Sequence, residues 1–124
     1  MKNYDLSQLE VLILEENQFM RRLLRAIMRE LGIRSVREVD NPYLAFKLIQ
    51  ENDIDLVFSN WAPGLDALRF LKEVRTSPDC PNPTLPIIVV SAYTEINHVL
   101  AARDFGMTEF LAKPVAAETV YHRI

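Results

Sequence analysis

Glycine is scarce in this chain: three residues in 124. A dinucleotide or phosphate loop needs several glycines at fixed offsets so that the backbone can approach a pyrophosphate, and none can be placed here. Cysteine is scarcer still. The lone Cys80 excludes an internal disulfide, and its place in a polar, proline-rich stretch suits a reducing cytoplasm. Basic excess is missing too: 14 Lys and Arg stand against 17 Asp and Glu, a net charge of −3. That balance argues against a general nucleic-acid surface or an anionic-membrane surface. No apolar run approaches membrane-spanning length, and Met1 to Leu9 is too polar for a secretion signal. Repeats and low-complexity segments are absent. What remains is one small cytoplasmic domain, 49% hydrophobic and 25% charged, long enough for a single core.

The apolar pattern alternates between strand and helix. Leu9 to Leu14 is a nearly continuous apolar run with β-branched residues, as in a strand covered on both faces. Asn17 is placed to cap a helix carrying Met20, Leu23, Leu24, Ile27 and Leu31 on one face, and Gly32 stops it. Arg21, Arg22, Arg25 and Arg29 fall largely on the opposite face, which reads as solvated or as a partner surface. Val36 to Val39 is a short strand. Asn41-Pro42 then puts a cap before a proline at the first helical position. Ile54 to Phe58 is a third strand, followed after Pro63-Gly64 by a helix through Leu68, Leu71 and Val74.

Thr76 to Pro86 is an irregular connection, and Pro86 to Val90 is the strongest buried-strand signal in the chain. Thr94 is placed to cap a fourth helix that stops at Gly106. Glu109 to Ala112 is a fifth strand, and Ala116 to Ile124 begins a last helix. Five strand–helix alternations predict an α/β domain over residues 1–124: a five-stranded parallel sheet, doubly wound, with right-handed crossovers.

Open parallel sheets bind ligands beyond the C-terminal ends of their strands. The residues expected there are Glu15 and Glu16, Ser59 and Asn60, Ser91, and Lys113. Two carboxylates would hold a hard cation such as Mg²⁺, while a hydroxyl and an ammonium would hold phosphoryl oxygens.

These residues resemble the bacterial response-regulator receiver domain of two-component signalling, over essentially the whole chain. The resemblance rests on Val11-Leu-Ile-Leu-Glu15-Glu16, on Leu56 to Asn60 followed by Trp61-Ala62-Pro63-Gly64-Leu65-Asp66-Ala67, on Ser91-Ala92, and on Glu109-Phe110-Leu111-Ala112-Lys113-Pro114. It implies a flavodoxin-like receiver fold and a signalling module in place of an enzyme. It also implies Ser91 and Lys113 at the phosphoryl site, Phe110 at the aromatic switch position, and a cis peptide between Lys113 and Pro114. Histidine kinases, phosphotransferases or effector proteins would be the partners, met through the first helix, and homodimers would form through the last helices and strands. The last helix stops early, at Ile124, consistent with a piece of a longer protein.

The departures matter equally. Counting from the start of the third strand puts Asn60 at the phosphoacceptor position; counting back from Pro63 puts Ser59 there, since the loop is one residue short. Neither is an aspartate, and an amide is too poor a nucleophile to form an acyl phosphate. The expectation is a degenerate receiver acting as a phosphorylation-independent interaction module. An unusual acceptor, Ser59 or Asp66, is one alternative, although Asp66 also reads as a helix cap. A small α/β enzyme using Glu15, Glu16 and Lys113 is another. Each glutamate adds a methylene to the usual acidic pair and would crowd a small octahedral Mg²⁺, to which Asn60 would offer only a carbonyl. Lys113 is expected to pair with Glu15, Glu16 or the Asn60 carbonyl. Trp61 reads as an exposed contact or as filler beside the short loop.

Overall fold

The computed structural model describes residues 6–60, 65–92, 96–113 and 115–124. Strands β1 (Glu10–Leu14), β2 (Ser35–Val39), β3 (Leu56–Asn60), β4 (Ile87–Ser91) and β5 (Glu109–Ala112) alternate with helices α1 (Gln18–Glu30), α2 (Pro42–Glu51), α3 (Leu65–Thr76), α4 (Ile96–Asp104) and α5 (Ala117–Arg123). The sheet is parallel throughout, in the order β2-β1-β3-β4-β5. The expected doubly wound α/β architecture is therefore observed. Its strand order reverses between β1 and β3, which places a crevice at their C-terminal ends.

Strand alternation sorts the core into two layers. Val11, Ile13, Leu56, Phe58, Ile88, Val90 and Leu111 pack with Leu24, Ile27 and Met28 of α1 and Val120 of α5. Leu12, Leu14, Val57, Ile87 and Val89 pack on the other side with Ala45 and Ile49 of α2 and Phe70, Leu71 and Val74 of α3. Strands buried on both faces have no polar alternation, which is why their sequences read as unbroken apolar runs.

Strand β3 runs later than Ile54 to Phe58. Ile54 turns back on Asn52, while Ser59 pairs with Leu14 on one side and Val89 on the other, and Asn60 pairs with Val90. Strand β1 carries the ladder through Ser59, and β4 carries it through both Ser59 and Asn60, where local propensity would end it.

The helix ends follow capping chemistry. The side chains of Asn17 and Asn41 accept hydrogen bonds from the backbone N–H groups of Met20 and Leu44, each at 2.9 Å, and Pro42 opens α2 where its missing N–H has no cost. Helices α1 and α4 close with the same turn. In α1, Gly32 donates to the Arg29 carbonyl and Ile33 to the Met28 carbonyl, both at 3.0 Å. In α4, Gly106 donates to Arg103 and Met107 to Ala102, again both at 3.0 Å. Both glycines have positive φ, +88° and +106°, which a side chain would resist.

Arg75, near the end of α3, ties the N-terminal edge of the sheet. Its guanidinium donates to the carbonyls of Gly106 at 2.9 Å, Pro83 at 3.0 Å and Leu85 at 2.7 Å. Burial lowers its hold on its proton, and Cys80 acts in the opposite direction.

Candidate functional site

Side-chain parity builds the site. Glu15 continues the Val11, Ile13 face of β1, Asn60 the Leu56, Phe58 face of β3, and Lys113 the Leu111 face of β5. All three therefore emerge on the α1/α5 side of the sheet, at the C-terminal edge. Backbone pairing carries past the strand ends to aim them: Glu15 donates to the Val39 carbonyl at 3.1 Å and Lys113 to the Ser91 carbonyl at 2.8 Å.

The three side chains meet. Lys113 Nζ donates to Glu15 Oε1 at 2.8 Å and to Asn60 Oδ1 at 3.1 Å. Glu15 is 1% exposed and the Lys113 side chain 20% exposed, so the ion pair is largely shielded from water. The second Glu15 oxygen, Oε2, accepts the Glu16 backbone N–H at 3.1 Å. The expected acidic pair is thus divided: Glu15 is buried and bound at both oxygens, whereas the Glu16 side chain is exposed.

Ser59 and Ser91 lie on the opposite parity and are buried, at 2% and 0% exposure. The Ser59 hydroxyl donates to the Asn60 carbonyl at 3.3 Å. Hence the Asn60 amide faces Lys113, and the Ser59 hydroxyl does not. Phe110 is half-buried and packs against the core layer shared by Leu12 and Val89. Trp61, the Pro63-Gly64 loop, Thr94 and Pro114, with the cis peptide expected before it, lie outside the described residues, as do the side chains of Asp66 and Ala67.

Arg21 corrects the reading of the first helix's arginines as a solvated or partner-facing set. Its guanidinium donates to the backbone carbonyl of Glu15 at 2.7 Å and of Glu16 at 3.2 Å, and it approaches the Glu38 carboxylate at 4.0 Å. Arg25 binds the same carboxylate. The acidic loop is thereby clamped from α1, one turn after the Asn17 cap. The only trace of this in the sequence is an arginine one turn past a capping residue.

Chemically, the cluster holds a cation of its own, the Lys113 ammonium, between one carboxylate and one amide oxygen. The tip of β3 carries an acceptor of hydrogen bonds but no carboxylate nucleophile.

Comparison with known proteins agrees with this fold. The family model for the response regulator receiver domain matches residues 11–124. The chain is 25% identical over 117 residues to the chemotaxis protein CheY-3 of Vibrio cholerae, an alignment covering 94% of this chain and 88% of that protein. Among solved structures, a response regulator described as putative from Chloroflexus aurantiacus superposes with a TM-score of 0.82 at 27% identity, over 92% of each chain. The receiver domain of a sensor histidine kinase from Pseudomonas aeruginosa PAO1, with a magnesium ion coordinated in its active-site cleft, superposes with a TM-score of 0.79 at 25% identity, again over 92% of each chain.

Proposed function

The chain belongs to the response-regulator receiver family, and we propose that it is a degenerate member in which Asn60 replaces the phosphorylated aspartate. It would serve two-component signalling as a phosphorylation-independent interaction module, meeting a histidine kinase, a phosphotransferase or an effector protein. The observation that carries this reading is the double engagement of Lys113, on Glu15 Oε1 and Asn60 Oδ1. A receiver's phosphoacceptor attacks phosphorus with a carboxylate oxygen; an amide oxygen shares its electrons with nitrogen and is a poor nucleophile. Losing the charge at Asn60 does not strand Lys113, since Glu15 neutralises it.

The same geometry bears on Mg²⁺. A cation at this position would have to compete with the Lys113 ammonium for Glu15 Oε1, and Oε2 is already bound to the Glu16 N–H. Glu16 is exposed and Asn60 is uncharged. This donor set does not fit an octahedral Mg²⁺, and the proposed function has no step that needs one. Ser59 as a substitute acceptor is disfavoured by its burial on the opposite parity.

Mass spectrometry after incubation with acetyl phosphate and Mg²⁺ tests the reading. Wild type should gain no phosphoryl adduct labile to base or hydroxylamine, and Asn60→Asp should gain one. A labile adduct on wild type would overturn the proposal. Trp61 fluorescence gives a separate check on the metal, with no saturable response expected at millimolar Mg²⁺.

A further inference from the structure

The turn that closes α1 and the turn that closes α4 share one backbone design but differ in what fills them. At Gly106, a Cβ would lie 2.7 Å from Arg75 Cγ, and the Arg75 guanidinium occupies the concavity by binding three carbonyls. At Gly32, a Cβ would meet nothing within 4 Å. The space there opens into a cavity of about 700 Å³ bordered by Arg25, Arg29 and Arg34, with Leu6, Ser7, Ile33 and Val36 also in its lining and, among the described residues, no carboxylate.

Charge is concentrated around this cavity. Three of the fourteen basic side chains, Arg25, Arg29 and Arg34, border it, in a chain whose net charge is −3. Arg25 is paired with Glu38. Arg29 and Arg34 have no side-chain hydrogen bond or ion pair among the described residues. Two of the α1 carbonyls near them, those of Met28 and Arg29, are already capped by Ile33 and Gly32. An ordinary solvated arginine face is convex and interleaved with acids; this one is concave, and among the described residues Arg29 and Arg34 are uncompensated.

We propose that this concavity is an anion site taking a small soluble ligand that bears a phosphate or pyrophosphate group. Guanidinium forks match phosphate oxygens in pairs, and two uncompensated cations balance the roughly −1.5 to −2 charge of a phosphate monoester. The site lies at the far end of α1 from Glu15 and Lys113, a helix length of about 20 Å, so it is separate from the strand-tip cluster.

The test is NMR titration of the whole isotope-labelled chain with inorganic pyrophosphate, against NaCl at matched ionic strength. Saturable shifts are expected at the Arg29 and Arg34 Nε–H groups and the Gly32 amide, with the Gly106 amide and the Asn60 side-chain amide unmoved. The double variant Arg29→Gln/Arg34→Gln should bind at least about tenfold more weakly. Arg22→Gln, on α1 but outside the cavity lining, should bind as wild type does. Shifts reproduced by NaCl, undiminished binding in the double variant, or equal weakening by Arg22→Gln would each overturn the proposal. Tighter binding of a glutamate-rich peptide than of pyrophosphate would also overturn it, making the face a protein contact.

Discussion

Two cations staple the two edges of the sheet, and they use different kinds of acceptor. At the C-terminal edge, Lys113 is held by side chains, the Glu15 carboxylate and the Asn60 amide. At the N-terminal edge, Arg75 is held mainly by backbone carbonyls, those of Gly106, Pro83 and Leu85. Backbone acceptors survive most substitutions that keep the fold, so the Arg75 edge depends on its neighbours' identities only where a side chain would displace the guanidinium, as at Gly106. Side-chain acceptors change whenever their residues change. The Lys113 edge is therefore where chemistry can be rewritten without rebuilding the sheet.

The sharpest way to break this contrast is Lys113→Met, which leaves the Glu15 carboxylate buried without its partner. We expect a loss of about 3 kcal/mol in urea unfolding, much of it returned by adding Glu15→Gln in the same chain. Arg75→Ala should cost somewhat less, about 2–3 kcal/mol, because water can reach some of the carbonyls it abandons. Truncating any single neighbouring side chain should not reproduce that loss, in contrast to the Lys113 edge.

Gly106→Ala should cost about 2 kcal/mol, combining the positive-φ penalty with displacement of Arg75. Gly32→Ala, with the same backbone demand but open space beside it, should cost only about 1 kcal/mol. Calorimetric melts of the two glycine variants side by side would measure what the filled turn adds. Equal losses would mean that Arg75 contributes nothing at Gly106.

Much of the fold was readable because it depends on residue type at short range. The apolar runs, the Asn17 and Asn41 caps and the Gly32 and Gly106 stops each announce themselves within a few residues. The convergence of Glu15, Asn60 and Lys113 was also readable, since each lies two residues beyond an apolar position on a known face. What stayed hidden was the difference between Glu15 and Glu16, which look alike in the sequence but point in different directions on extended backbone. Arg21 and Arg75 were hidden for another reason. Their partners are carbonyl oxygens, which every residue has, so no residue type marks the site where a long guanidinium will dock. The end of β3 was misplaced because Ser59 and Asn60 are held in the ladder by strands distant in sequence.

The Lys113–Glu15 contact joins residues 98 apart in sequence, from the first strand to just past the last. Strands β3 and β4 lie between them in the sheet. Such a long-range bond is expected to close late in assembly and to be absent from a folding nucleus built of nearer contacts. Its stabilisation should therefore appear almost wholly as slow unfolding. Glu15 and Lys113 would then govern how long each molecule stays folded, leaving almost untouched how quickly it gets there.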